Sequence, residues 1–155
     1  MSVTSITTAY NAIITRLGYL YSSNSSYNRL GDPYDIANNK DVFLRKGYGL
    51  RYDGASVGDS VFNEFAMNHI FTIVLSRELL KLEGQTTPDD DVSLLLLEDV
   101  VAVQKDFYHQ SELGVGSDIS KVDLGDVSAI EKVNAEKVKF KTITVSFNFL
   151  ICNSF

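Results

Sequence analysis

A chain of 155 residues is about the size of one domain, and 45% hydrophobic, 22% charged residues and only 2 prolines exclude the disordered, collagen-like and disulfide-scaffold classes. The 20 acidic against 14 basic residues leave a net charge of −6, the wrong balance for a protein that holds nucleic acid by neutralising phosphates. The single cysteine, Cys152, cannot close an internal disulfide, and no CxxC or Cys/His cluster offers a structural metal site, so a reducing compartment is expected.

Met1 to Ser5 carry neither the positive run nor the apolar core of a signal peptide, and no stretch reaches the roughly 18 apolar residues of a membrane span. A soluble, non-exported protein is expected. Val3, Ile6, Tyr10, Ile13, Ile14, Leu17 and Leu20 recur at three- and four-residue steps and predict a helix from about Val3 to Tyr21. A polar, turn-rich loop follows from Ser22 to about Lys40, longer than compact domains usually carry.

From Val42 to Tyr52 the apolar Val42, Leu44, Tyr48, Leu50 and Tyr52 alternate with Arg45, Gly47, Gly49 and Arg51, the period of a half-buried strand. Lys46 interrupts the apolar face, so it belongs at a bulge or at the sheet margin, and Arg45 points outward. Asp53 to Asp59 read as a turn. A second strand runs from Phe65 to Arg77 with Phe65, Met67, His69, Phe71, Ile73 and Leu75 on one face.

Thr87, Pro88 and Asp89 start a helix: a cap, a proline suited to the first turn, and acids at the positive end of the dipole. It is expected to run to about Leu113, with Val92, Leu95, Leu96, Val100, Val103 and Phe107 as its core stripe and Gly114 as its stop. Ile119 to Lys132, with a turn at Leu124 to Asp126, and Val138 to Ile151 are the last strands. In the final one Ile143, Val145, Phe147, Phe149 and Ile151 share one face. The fold class is α+β: about four antiparallel strands covered by two helices, in the order helix-strand-strand-helix-strand-strand, as one domain over 1–155.

Charge is segregated along this chain. Nine acids between Glu83 and Asp118 meet only Lys105, whereas the first thirty residues carry Arg16 and Arg29 and no acid. The acidic helix on one side, and Lys132, Lys137, Lys139 and Lys141 with Arg45, Lys46 and Arg51 on another, would let a subunit pair head-to-tail in one direction. Catalytic signals are wanting. His69 reads as a satisfied core histidine, His109 as a dipole partner at a helix end, and Cys152 as an inert thiol just past a strand. Consecutive acids at Asp89, Asp90 and Asp91 point in different directions around a helix, and neither glycine pair continues into a phosphate-binding loop. No enzyme, metal site or cofactor is expected.

One segment is distinctive: Asp32-Pro33-Tyr34 followed by Phe43-Leu44-Arg45-Lys46-Gly47-Tyr48-Gly49, and then a strand ending Phe71-Thr72-Ile73-Val74-Leu75-Ser76-Arg77. In order and size, nearly the whole chain resembles the tail terminator (tail completion) proteins of long-tailed bacteriophages. The resemblance implies a non-enzymatic virion protein, assembled in the host cytoplasm, that forms a homo-hexameric ring on the head-proximal end of the tail. Its partners would be further copies of itself, the tail tube protein, and a head connector or completion protein. DNA would pass through the ring without specific binding, and no membrane is involved. The intersubunit or tail-tube interface is expected at Tyr27, Arg29, Tyr34, Arg45, Lys46, Tyr48 and Arg51, and an acidic lumen or ring contact at Glu83, Asp89, Asp90 and Asp91. A head completion or neck adaptor protein and an unrelated intracellular binding module are the alternatives.

Overall fold

The computed structural model describes residues 5–22, 27–29, 46–61, 64–78, 81–82, 85–86, 89–108, 119–134 and 139–154. In chain order the elements are α1 (Ser5–Ser22), β1 (Tyr27–Arg29), β2 (Lys46–Val61), β3 (Glu64–Glu78), β4 (Lys81–Leu82), β5 (Gln85–Thr86), α2 (Asp89–Tyr108), β6 (Ile119–Val127), β7 (Glu131–Asn134) and β8 (Lys139–Ser154). Apart from the small β4/β5 ladder, the strands make one six-stranded sheet in the order β1-β2-β3-β8-β6, with β7 also on β8. The α+β architecture and the order of its long elements follow the sequence pattern. The sheet is antiparallel except for β1, which pairs parallel to β2 within the stretch expected to be all loop.

Alternation decides which side of each strand is buried. Phe71, Ile73 and Leu75 of β3 and Ile143, Val145, Phe147, Phe149 and Ile151 of β8 are each at most 1% exposed, and both helices cover that face. On α1 the buried line is Ala9, Ile13 and Leu17, with Ile6, Tyr10 and Ile14 packed at its margins. On α2 it is Val92, Leu96, Val100, Val103 and Phe107. Leu95, expected in the core, is 37% exposed, because a helix 3.6 residues per turn carries it away from Leu96 toward solvent. Among the described residues no helix is long and apolar enough to cross a membrane.

Three further expectations need correction. Asp53 to Asp59 are not a turn; β2 runs through them and breaks register against β3 between Tyr52 and Ala55 and again between Val57 and Ser60. Gly54 has φ 101°, the left-handed conformation, so the residues that looked like a hairpin turn make bulges instead. Leu124 to Asp126 likewise stay inside β6. There a Cβ on Gly125 would sit 2.8 Å from the carbonyl oxygen of Ser146, so the glycine marks a close approach of two strands rather than a reversal. The segment from Ile119 breaks instead at 128–130, where Ser128 keeps contact with β8: its N–H donates to the Thr144 carbonyl and its Oγ accepts from the Thr144 N–H, both at 2.9 Å. Finally, Cys152 lies within β8 rather than beyond it, its backbone paired with Ala66.

Polar side chains fasten α2 at three levels. Lys141 of β8 donates to Ser93 at 2.9 Å, Arg77 of β3 grips both Asp99 oxygens at 2.7 and 2.9 Å, and Arg16 of α1 grips both Asp106 oxygens at 2.8 and 2.6 Å. The planar guanidinium matches a carboxylate in two parallel bonds, which fixes orientation as well as distance. These pairs revise the charge-segregation reading, since Asp99, Asp106 and Lys141 act within the subunit.

Candidate functional site

The sheet has one face without a described helix. Facing that way are Gly47, Gly49 and Arg51 of β2, Thr72, Val74 and Ser76 of β3, and Thr142, Thr144 and Ser146 of β8. Small and hydroxylated side chains make this face flat. Its polar centre is a chain of contacts: Arg51 Nη2 donates to Asp53 Oδ2 at 3.2 Å, the Thr72 hydroxyl donates to the same Asp53 oxygen, and Thr72 and Ser146 share a hydrogen bond of 3.0 Å. Thr72 and Ser76 are buried, and Arg51 Nε and Ser76 Oγ are buried atoms with no hydrogen-bond partner among the described residues. A buried polar atom left unpaired costs about 1–3 kcal/mol, and with Val74 and Ser76 at 0% exposure the centre of this face is closed to a partner from outside.

The structure divides the expected interface residues. Tyr27, Arg29, Lys46 and Tyr48 come together at one sheet edge, through the parallel pairs Tyr27↔Lys46 and Arg29↔Tyr48. Tyr48 belongs to the helix side, half-buried, opposite Leu75; Arg51, three residues later, belongs to the other face. The two therefore cannot meet one partner surface together. Tyr34, Arg45 and Glu83 lie outside the described residues, as do His109 and most of the expected loop from Ser22 to Lys40. Asp89, Asp90 and Asp91 form the first turn of α2.

Sequence reasoning missed a second feature. Beside the N-terminal half of α1, Ile6, Thr7 and Tyr10 with Tyr52 and Phe71 line an open cleft of about 230 Å³. Behind it the Tyr52 hydroxyl and His69 Nδ1 are 2.9 Å apart, while His69 Nε2 is buried with no hydrogen-bond partner among the described residues. The reading of His69 as a satisfied core histidine thus holds for one ring nitrogen only. The signal was present in the alternation, which puts Tyr52 and His69 on the same side of adjacent strands, but the bulge between Tyr52 and Ala55 hid their proximity.

Burial lowers the His69 pKa below its ordinary 6.5, since desolvation penalises the imidazolium. Below that value the unfolded chain takes up a proton that the folded one refuses, so stability is lost as pH falls from 6.5 toward the depressed folded value. The wild-type thermal midpoint should fall more than that of His69→Gln between about pH 7.5 and about pH 5.5. Parallel curves for the two proteins would refute it.

Among the described residues, no group of three His, Cys, Asp or Glu side chains could hold a metal ion. Compared with models of known families and with curated proteins, the sequence matches none.

Proposed function

We propose that this chain is a structural virion assembly protein that caps the head-proximal end of a bacteriophage tail tube as a ring, ends tube polymerisation and forms the head-docking surface. The observation that carries this reading is the ordered run from Asp32-Pro33-Tyr34 through Phe43 to Gly49 and on to Phe71 to Arg77, which resembles the tail terminators. The fold supports it in two ways. The second half of that run begins β2 at the sheet edge, where β1 brings Tyr27 and Arg29 alongside Lys46 and Tyr48. In addition, beyond Tyr48 the outer edge of β2 has no strand partner among the described residues, and the opposite margin of the sheet ends on β6 and β7. A ring needs two dissimilar surfaces that meet head-to-tail, and a sheet with two different open margins supplies them.

The test is electron microscopy of the purified protein mixed with tail tubes assembled from the tube protein of the same genome. Ring-shaped density at one end of each tube, with tubes no longer elongating, is the expected result. Binding to heads but not tubes would replace this reading by the neck adaptor, and binding to neither would leave an intracellular binding module.

A further inference from the structure

Helix α2 is apolar on two sides. Opposite its core stripe, Leu94, Leu97, Val101 and Tyr108 are 59%, 45%, 47% and 60% exposed, at steps that place them in one line along the helix. Glu98 and Lys105 run along one flank of the line, both exposed and with no ion-pair partner among the described residues. The other flank carries Ser93 and Gln104, with the Lys141 ammonium of β8 on the Ser93 hydroxyl and no acid among the described residues.

We propose that this stripe is where two copies of the chain pair, α2 against α2, antiparallel about a two-fold axis passing between Val101 and Ala102. In an antiparallel helix pair each flank meets the same flank of its partner, whereas in a parallel pair it meets the opposite one. The antiparallel arrangement sets Glu98 of each copy against Lys105 of the other, twice; the parallel one sets both against the flank of Ser93, Gln104 and Lys141, where Lys105 meets a like charge and no carboxylate. Charge therefore chooses the orientation, and the apolar line supplies the contact area. One helix pair of this length buries less than the roughly 1,000 Å² of a stable interface, so the dimer is weak, with a Kd of about 10–100 μM. The contact is isologous while ring closure is heterologous, so it does not rest on the ring reading.

Sedimentation velocity over a concentration series up to about 300 μM should show a monomer–dimer equilibrium in the wild type. Glu98→Lys and Lys105→Glu should each weaken association about 10-fold or more at an unchanged thermal midpoint, because each sets like charges together. An equimolar mixture of the two variants should regain wild-type association, since each then meets its opposite. Leu97→Asp, which leaves the charged flank intact, should leave a monomer. A wild type monomeric throughout, variants that associate normally, or a mixture no tighter than its components would each overturn the proposal.

Discussion

Phe147→Ala is expected to lower the unfolding free energy by about 3–5 kcal/mol, the usual cost of emptying a large aromatic site. Phe147 is fully buried and paired across strands with Phe71 on one side and Leu124 on the other. Its ring lies 5.2 Å from that of Phe107, edge-on at 62°, and 6.1 Å from Phe149, which in turn meets Phe71 edge-on at 5.4 Å. These four rings form a continuous row from α2 into the centre of the sheet, and removing Phe147 interrupts it. A domain of this size commonly has about 5–15 kcal/mol of stability in all, so the variant should unfold roughly 10 °C lower. Phe147→Leu, which keeps most of the volume, should cost about 1–2 kcal/mol. A melting curve for Phe147→Ala within about 2 °C of wild type would contradict the packing described.

Asp99→Ala should cost about 2–4 kcal/mol, although it removes only a carboxylate. The Arg77 and Asp99 side chains are 12% and 11% exposed, and Asp99 sits on the inner side of α2 beside Leu96, Val100 and Val103. Without Asp99 the guanidinium keeps its desolvation cost but loses the two charge-assisted bonds to that carboxylate, and that asymmetry sets the sign and size of the effect. Arg16–Asp106 has equally short bonds but side chains 23% and 15% exposed, so Asp106→Ala should cost less, about 1 kcal/mol. Replacing both partners, Arg77→Met with Asp99→Leu, should recover most of the loss, because no charge is then left unpaired. Urea unfolding of the single and double variants measures this directly. A double variant no more stable than Asp99→Ala would show that the pair contributes through something other than charge balance.

Periodicity made the core of this molecule legible. Ile143 to Ile151 alternate without interruption, so one reading of the sequence assigns the buried face of β8, and the helical steps of Ile13 and Leu17 do the same for α1. Glycine-rich stretches were harder. Gly54 and Gly125 are compatible with a reversal, a bulge or a close crossing, and only the neighbouring strand decides which. β1 was invisible, because three residues are too short to establish a period and their parallel partner is set by tertiary packing. Charges misled for a related reason. Asp99 and Asp106 read as part of an acidic surface, yet their partners Arg77 and Arg16 lie 22 and 90 residues away along the chain, beyond any local signal. The alternation that correctly sends Arg51 to the face opposite Tyr48 also puts Asp53, two residues on, beside it, but reading Asp53 as the start of a turn hid that contact.

The place of β3 in the sheet has a consequence for how the chain reaches its native state. β3 is bonded to β2 on one side, across two bulges, and along its whole length to β8 on the other, but these two ladders differ in what it takes to form them. Val61 pairs with Glu64, so the first ladder zips from a local reversal. The second brings Glu78 to Phe140 at its nearest point, with α2, β6 and β7 strung between them, and closing a flexible loop of that length costs about 4 kcal/mol in chain entropy before any contact offsets it. The β2–β3 hairpin is therefore expected to form early and locally, and the row of phenylalanines to be completed when β8 docks. Until then β3 presents an apolar face and an unpaired edge together, the combination most prone to capture by another chain. The refolding yield is therefore expected to follow how fast β8 arrives, as well as how stable the finished sheet is.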